Sequence, residues 1–308
     1  MNRYCDYNSI LKNRFGERVQ KILVNAGFSC PNRDGTKGVG GCTYCNNRTF
    51  SPDYCQPHYN LTEQIEKGIA FFSHKYQSQK YLVYFQSYTN TYAPLSHLVQ
   101  LYEEALAFPN VAGIVVGTRP DCVSAALLDY FAELAQKKYV MLEYGVESTS
   151  DETLRRINRG HDFYVAREAI TETAQRGILV GAHLILGLPG ESREQMLRHA
   201  EVLSDLPLTM LKLHQLQIVH GAAMEKQFAE NPQEFHIFSL DEYIDLCVDF
   251  LERLNPEIAV ERFVSQSPKE WLVQPEWGVK NFEFLDKLKK RLRERDTWQG
   301  KLTKRAEM

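Results

Sequence analysis

Val19-Gln20-Lys21-Ile22-Leu23-Val24-Asn25-Ala26-Gly27 is the stretch that separates two possible folds. Residues 19–24 form a short, largely aliphatic run of strand length, and Asn25-Ala26-Gly27 stops it. A doubly wound dinucleotide-binding sheet would place Gly-x-Gly-x-x-Gly directly after this strand. A long Gly- and Cys-rich segment follows instead, from Phe28 to about Pro57. Outward from there, apolar runs alternate with helical periodicity. Helices are expected at 61–76, 95–108, 123–138, 162–176 and 192–205, and strands at 81–85, 112–117, 140–146, 179–188 and 210–219. Six successive strand–helix units predict a parallel sheet with crossover helices. Such crossovers are right-handed, so the units coil into a doubly wound sheet or a barrel. Glycines and polar residues fall just after the strand ends, in the Cys-rich loop, Thr118-Arg119-Pro120, Glu147-Ser148 and Gly187-Leu188-Pro189-Gly190. In barrels this is where active sites are built. The expected fold is therefore α/β, a partial (β/α)6 TIM-type barrel. Residues 1–220 form the barrel and 221–308 a C-terminal α/β extension. That extension holds an amphipathic helix at 239–254 and one more strand at 258–263, and it closes the barrel where it can meet substrate.

The 308 residues are 44% hydrophobic and 24% charged, an ordinary globular balance that excludes disordered, collagen-like and coiled-coil chains. No apolar run reaches the ~18 residues of a membrane span. Met1-Asn2-Arg3-Tyr4-Cys5-Asp6 lacks the apolar stretch of a signal peptide. A cytoplasmic, reducing location with no membrane partner is expected. The net charge of −3 means that a nucleic-acid partner must be met by a local basic patch. One is available at 280–308, where ten Lys or Arg face five acids. The alternative for that tail is a solvated amphipathic helix packed through Phe282, Leu285, Leu288 and Leu292.

Seven cysteines, at 5, 30, 42, 45, 55, 122 and 247, are odd in number, and four of them lie between positions 30 and 55. In a reducing compartment they do not read as a disulfide framework. Cys30, Cys42 and Cys45 are spaced C-x11-C-x2-C. That spacing admits a zinc site with Cys55 or His58 as fourth ligand, a redox dithiol at Cys42 and Cys45, or a 4Fe–4S cluster with one open iron. Cys122 and Cys247 sit in apolar helical contexts and read as packing residues. Cys5 and Cys55 remain unassigned.

The segment Gly27-Phe28-Ser29-Cys30-Pro31-Asn32-Arg33-Asp34-Gly35-Thr36, with Gly40-Gly41-Cys42-Thr43-Tyr44-Cys45, resembles the cluster loop of radical S-adenosylmethionine (SAM) enzymes. The usual spacing in that superfamily is C-x3-C-x2-C. The wider first gap is similar to that of the Elongator catalytic subunit and the YhcC/YtqA-like family. Phe85-Gln86-Ser87-Tyr88-Thr89-Asn90-Thr91-Tyr92 and Arg295-Asp296-Thr297-Trp298-Gln299-Gly300 resemble the latter as well, so the likeness runs nearly end to end.

The resemblance implies one 4Fe–4S cluster held by Cys30, Cys42 and Cys45. It implies reductive cleavage of SAM to a 5′-deoxyadenosyl radical, and an external one-electron donor such as flavodoxin or ferredoxin. Tyr44 would cover the cofactor. Gln86, Ser87 and Thr89 would stand at the SAM amino group, and Glu143 and Glu147 near the ribose. Arg159, or less directly Arg167, would hold the SAM carboxylate. Gly187, Leu188 and Pro189 would meet the adenine. His183, Lys212, His214 and Arg262 are the substrate-facing candidates.

By the same resemblance the substrate is tRNA, on the wobble uridine, with a carboxymethylaminomethyl group remodelled to aminomethyl. Tyr88, Tyr92, Trp271 and Trp277 are aromatics that can stack a splayed base. A second reading is a radical SAM enzyme on a small molecule such as a tetrapyrrole, because Gly145-Val146-Glu147-Ser148 also resembles oxygen-independent coproporphyrinogen oxidases. A third is a zinc-stabilised binding protein without catalysis.

Overall fold

A computed structural model describes residues 2–49, 51–56, 58–74 and 79–303. Seven strands form one parallel sheet: β1 (Val19–Val24), β2 (Lys80–Phe85), β3 (Val111–Thr118), β4 (Tyr139–Glu147), β5 (Leu179–Leu186), β6 (Met210–Gln215) and, after the short β7 (Ile218–Val219), β8 (Ala259–Arg262). Their order is β1-β2-β3-β4-β5-β6-β8. Each new strand is added on the same side, with no reversal of direction. Right-handed crossovers that never reverse put every helix on one face and curl the sheet into a half-barrel. The curl brings the two edge strands together, since Lys21 on β1 reaches Glu261 on β8 at 2.5 Å.

Away from the register shifts near Tyr81, Gly145 and Leu211, side chains alternate between the two faces of the sheet. Ile22, Val24, Val83, Phe85, Leu142 and Leu184 point outward into the core shared with the helices. That outer layer contains α2 (Leu61–Ser73), α3 (Leu95–Leu106), α4 (Ala125–Ala135), α6 (Phe163–Gln175), which follows the short α5 (Asp151–Arg156), and α7 (Arg193–Ser204). Side-chain caps set most helix starts. Asn60 with Glu63, and Ser192 with Gln195, form reciprocal capping boxes, and Ser124, Ser150 and Asp162 each accept a backbone N–H in the first turn.

The inward positions form two layers. At the bottom, Leu82, Val115, Tyr139, Met141, Met210 and Ala259 pack with Tyr7 and Leu11 of the N-terminal helix α1 (Tyr7–Phe15). This helix touches both edge strands and plugs the barrel floor. Above it the lining becomes charged and polar.

The seventh strand belongs to the main sheet, where it pairs with β6. The run expected at 210–219 divides. Its first part is β6, and β7 leaves the sheet to pair antiparallel with β9 (Leu272–Gln274). Between them in sequence lie α8 (Ala223–Glu230) and α9 (Leu240–Arg253), and after β9 comes α10 (Asn281–Glu294). Phe284, Leu288 and Leu292 bury α10, an i, i+4, i+8 stripe, whereas Phe282 is 60% exposed. The expected packing stripe was therefore displaced at its first position. Residues 304, 305 and 307 of the basic tail lie outside the described residues. Among the described residues no helix is long and apolar enough to cross a membrane.

Candidate active site

The C-terminal ends of the strands open onto a cavity of about 640 Å³, within the range of small-molecule and cofactor sites. Cys30, Cys42 and Cys45 all line it. The loop that carries them is pinned at several points. The Cys30 carbonyl accepts from the Arg33 and Asp34 amides at 2.8 and 3.2 Å, and Cys45 N–H donates to the Cys42 carbonyl at 3.0 Å. Asn32 is buried. Its carbonyl accepts from Gly41 N–H, and its Nδ2 donates to the Asn158 carbonyl at 2.6 Å. Gly38 must be glycine for this packing, because a Cβ there would lie 2.3 Å from Asn32 Oδ1. Thr43 N–H donates to Ile157, and Met224 N–H to the Thr43 carbonyl, so the ends of α5 and α8 clamp the CxxC turn. Two elements distant in sequence, the end of α5 and the start of α8, thus hold the cysteine loop in place.

N–H groups surround the sulfurs. Arg159 Nη1 reaches Cys42 Sγ at 3.5 Å, Asn32 Nδ2 reaches it at 3.7 Å, and Asn47 Nδ2 reaches Cys45 Sγ at 3.9 Å. Burial, with Cys42 beside it, pushes the Cys45 thiol up to about 11. Arg33 opposes this rise, and a cation bound at the sulfur would favour the thiolate further. The other proposed zinc ligands are elsewhere. Cys55 is buried with its Sγ donating to Gln64 Oε1, and His58 lies against Tyr59. Among the described residues no three His, Cys, Asp or Glu converge on a single metal-ion position.

Besides His214 Nε2 on β6, three cavity-lining side chains near the cysteines carry buried polar atoms with no protein partner: Thr89 Oγ1, Arg119 Nη1 and Arg159 Nε. Unpaired buried groups cost about 1–3 kcal/mol each. Their convergence beside the cysteines fits a polar ligand with an anionic group. Arg119 is held by a two-point ion pair with Asp121, at 2.8 and 3.0 Å, and donates to the Arg159 carbonyl. Arg159 also donates to Gly145 O at 2.6 Å. Two arginines are thus fixed in place with hydrogen-bonding capacity left over. Three thiols and this donor set fit a 4Fe–4S cluster with bound SAM. Cys30, Cys42 and Cys45 would ligate the irons, and Arg119, Arg159 and Thr89 would meet the polar groups of SAM.

Tyr44 lies among Cys42, Glu147 and Arg159, close enough that burial, Cys42 and Glu147 together drive its hydroxyl far above the usual range. Glu147 follows a bulge in β4 and has φ +67°, an uncommon conformation for a non-glycine residue. Burial raises its carboxyl, with Arg159 opposing. Tyr88, also at positive φ and 40% exposed, lines the cavity near the loop.

Deeper in the lumen is a connected charge network. Glu143 is fully buried and receives Lys21 Nζ at 2.8 Å, Lys212 Nζ at 2.5 Å and His183 Nε2 at 2.8 Å. Lys21 and Lys212 also reach Glu261, at 2.5 and 3.5 Å. Despite burial, the two lysines hold Glu143 well below the usual carboxylate range. Burial lowers His183 to about 4 and leaves His214 neutral. Glu143 was expected near the SAM ribose; here its oxygens are engaged by Lys21, Lys212 and His183.

Of the residues anticipated from sequence, Tyr44, Gln86, Thr89, Glu143, Glu147, Arg159, His183, His214 and Arg262 share the cavity with the three cysteines. Lys212 is sealed beneath its floor. Ser87 is buried but does not line the cavity. Gly187, Leu188 and Pro189 do not line it either, because the chain turns outward at Gly187 (φ +95°) and Leu188 packs with Leu154, Ile157 and Phe235. Arg167 is exposed, beside Glu168 and Tyr164. Cys247 is buried in α9 as expected. Cys122 is not, since it ends a short 3-10 turn with its Sγ toward Asp121. Lys21, Tyr84 and Glu261 were not anticipated, and Arg119 was anticipated only as part of a strand-end loop, without a role. A charge at the middle inward position of β1 was the available signal for Lys21.

Two family models match the chain: the radical SAM superfamily over residues 30–203, and the Radical_SAM C-terminal domain over residues 208–294. YtqA of Bacillus subtilis is 37% identical over 306 residues, covering 99% of this chain and 94% of that one. A tRNA uridine(34) acetyltransferase of Dehalococcoides mccartyi is 24% identical over 159 residues, covering 51% of this chain and 34% of that protein. Among solved structures, Elp3 of the archaeon Methanocaldococcus infernus superposes with a TM-score of 0.66 at 16% identity. The superposition covers 91% of this chain, which spans 64% of that longer one.

Proposed function

The chain belongs to the radical SAM superfamily and is an enzyme using a 4Fe–4S cluster and SAM, and we propose that its substrate is tRNA, modified on the side chain of the wobble uridine. The observation that carries this reading is the relative named as a tRNA uridine(34) acetyltransferase, alike over half of this chain. The Elp3 likeness supports the fold alone. The reaction proposed is remodelling of a carboxymethylaminomethyl group to aminomethyl.

When bound, cluster and SAM supply a 5′-deoxyadenosyl radical on arrival of one electron, from a donor proposed to be a flavodoxin or ferredoxin. This chain's residues do the rest. Arg119, Arg159 and Thr89 orient the polar groups of SAM beside the cysteine loop. Tyr88 at the cavity edge offers a ring against which a flipped base can stack. The barrel walls exclude water and competing hydrogen donors. The ion network below holds the substrate side chain in register.

Trp277 is removed from the stacking candidates, since its ring packs on Tyr243 and Phe284 and its Nε1 donates to Phe238 O. Mass spectrometry of tRNA nucleosides from a deletion strain tests the reading. Accumulation of the carboxymethylaminomethyl form is expected. An unchanged set of uridine modifications would remove tRNA as the substrate in favour of a small molecule.

A further inference from the structure

Arg262 stands out on the lumen wall. It is half-buried, lines the cavity, and makes no ion pair or hydrogen bond among the described residues. Its position follows from a register shift. Leu211 pairs with Val260 but Lys212 pairs with Arg262, leaving Glu261 as the extra residue of a bulge. The bulge lets two consecutive side chains, Glu261 and Arg262, face the cavity, where strict alternation would allow one. Paired hydrogen bonds between Gln215 and Ser265, both 2.8 Å, then fix the end of β8 against β6.

Beside Arg262 is His214, whose Nε2 is buried without a partner. Burial, with the guanidinium adding to it, disfavours protonation of both His214 and His183, so these rings are neutral. A neutral imidazole can present one N–H to an acceptor. Apart from Glu147 and the arginines beside the cysteine loop, the group around Glu143 therefore sets three cations, Lys21, Lys212 and Arg262, against two carboxylates, Glu143 and Glu261. One positive charge has no counterpart, and it sits on the residue with free donors.

We propose that Arg262 and His214 form an anion-binding subsite that takes a single carboxylate group of the substrate. A guanidinium matches a carboxylate with two parallel N–H bonds. One spare positive charge matches a monoanion. A phosphate dianion would leave surplus negative charge beside Glu143 and Glu261. Arg262 lies at the level of the fully buried Lys212, a depth that suits the end of a side chain and not a backbone phosphate flanked by two sugars. The subsite deepens the tRNA reading and rests on it only for the identity of the molecule that carries the carboxylate.

The test uses the full-length protein and sodium acetate, with acetamide and inorganic phosphate as comparisons, followed by titration calorimetry. Saturable acetate binding is expected, weakened at least tenfold in Arg262→Gln, less in Arg262→Lys, with none for acetamide. Acetate binding that ignores Arg262→Gln, or phosphate binding tighter than acetate, would overturn the proposal. If Arg262→Gln does not fold, Arg262→Lys and His214→Gln carry the measurement. With tRNA bearing carboxymethylaminomethyluridine, the Gln variant should raise KM at least tenfold and leave iron content unchanged. Acetate binding through Arg262 without turnover of this tRNA by the wild-type protein would keep the subsite and remove the tRNA reading. Turnover with KM indifferent to Arg262 would do the reverse.

Discussion

Cys42 is the most heavily supported of the three cysteines, with N–H groups from Asn32 and Arg159 aimed at its sulfur. Replacing Cys30, Cys42 or Cys45 by Ala should abolish iron–sulfur reconstitution, whereas Cys55→Ala and Cys247→Ala should retain full iron content; iron and sulfide analysis decides it. Hydrogen bonds to cluster sulfur favour the reduced state. Arg159→Lys should therefore lower the cluster potential, read by redox titration. A third prediction concerns His183. Its folded value of about 4 lies below the ordinary ~6.5 of an unfolded chain. Between these values the unfolded state binds more protons. The stabilising effect is complete above about pH 6.5 and is lost as pH falls toward 4. His183→Gln should flatten the stability–pH curve in that window by up to one proton, about 1.4 kcal/mol per pH unit. An unchanged slope in denaturant titrations would show that His183 does not titrate this way.

Helices α1 and α10 were the elements least expected to matter in the way they do. Helix α1 seals the barrel floor, with Tyr7 Oη 2.6 Å from Tyr139 Oη inside an apolar layer. Tyr7→Ala should destabilise the protein by about 3–5 kcal/mol, and Tyr7→Phe by about 1 kcal/mol, measured by chemical denaturation. Helix α10 carries the basic tail, but its charge is largely answered. Arg291 pairs with Asp241 and Asp245, and Arg295 with Asp249 and Glu252, all on or at the end of α9. Lys290 pairs with Glu294 within the helix, which leaves Lys287, Lys289 and Arg293 on α10. Neutralising Lys289, Lys290, Arg291 and Arg293 should thus change the salt dependence of tRNA binding by much less than four phosphate contacts would. A loss of the full slope would show that the helix meets the phosphate backbone after all.

At the scale of the whole molecule, the chain ends are tied to each other and to the last strand. Gln299 donates to Asn255 O and Ile258 O and accepts from Cys5 N–H, while Arg3 pairs with Asp296. A division at residue 220 would strip β8 from the edge of β6, remove Glu261 from Lys21 and Lys212, and expose the face of α7 that packs on α9. A fragment of residues 1–220 should therefore fail to fold to a monomer, as judged by solubility and circular dichroism. The barrel and its closing segment act as one cooperative unit in this proposal.

The alternating strands and the missing glycine fingerprint after β1 were enough to specify a barrel, and the C-x11-C-x2-C spacing singled out three cysteines that prove to share its cavity. These features are local: strand periodicity and cysteine spacing are written in consecutive residues. The sequence did not reveal that Cys55 faces Gln64, that Gly187 turns away from the cavity, or that a bulge aims both Glu261 and Arg262 inward. Nor did it pair Lys21, Glu143, Lys212 and Glu261, which come from β1, β4, β6 and β8. Register shifts and the curl of a sheet are decided by packing among distant segments. Only the folded barrel brings those charges within reach of one another, and only there does Arg262 stand beside them without a side-chain partner among the described residues.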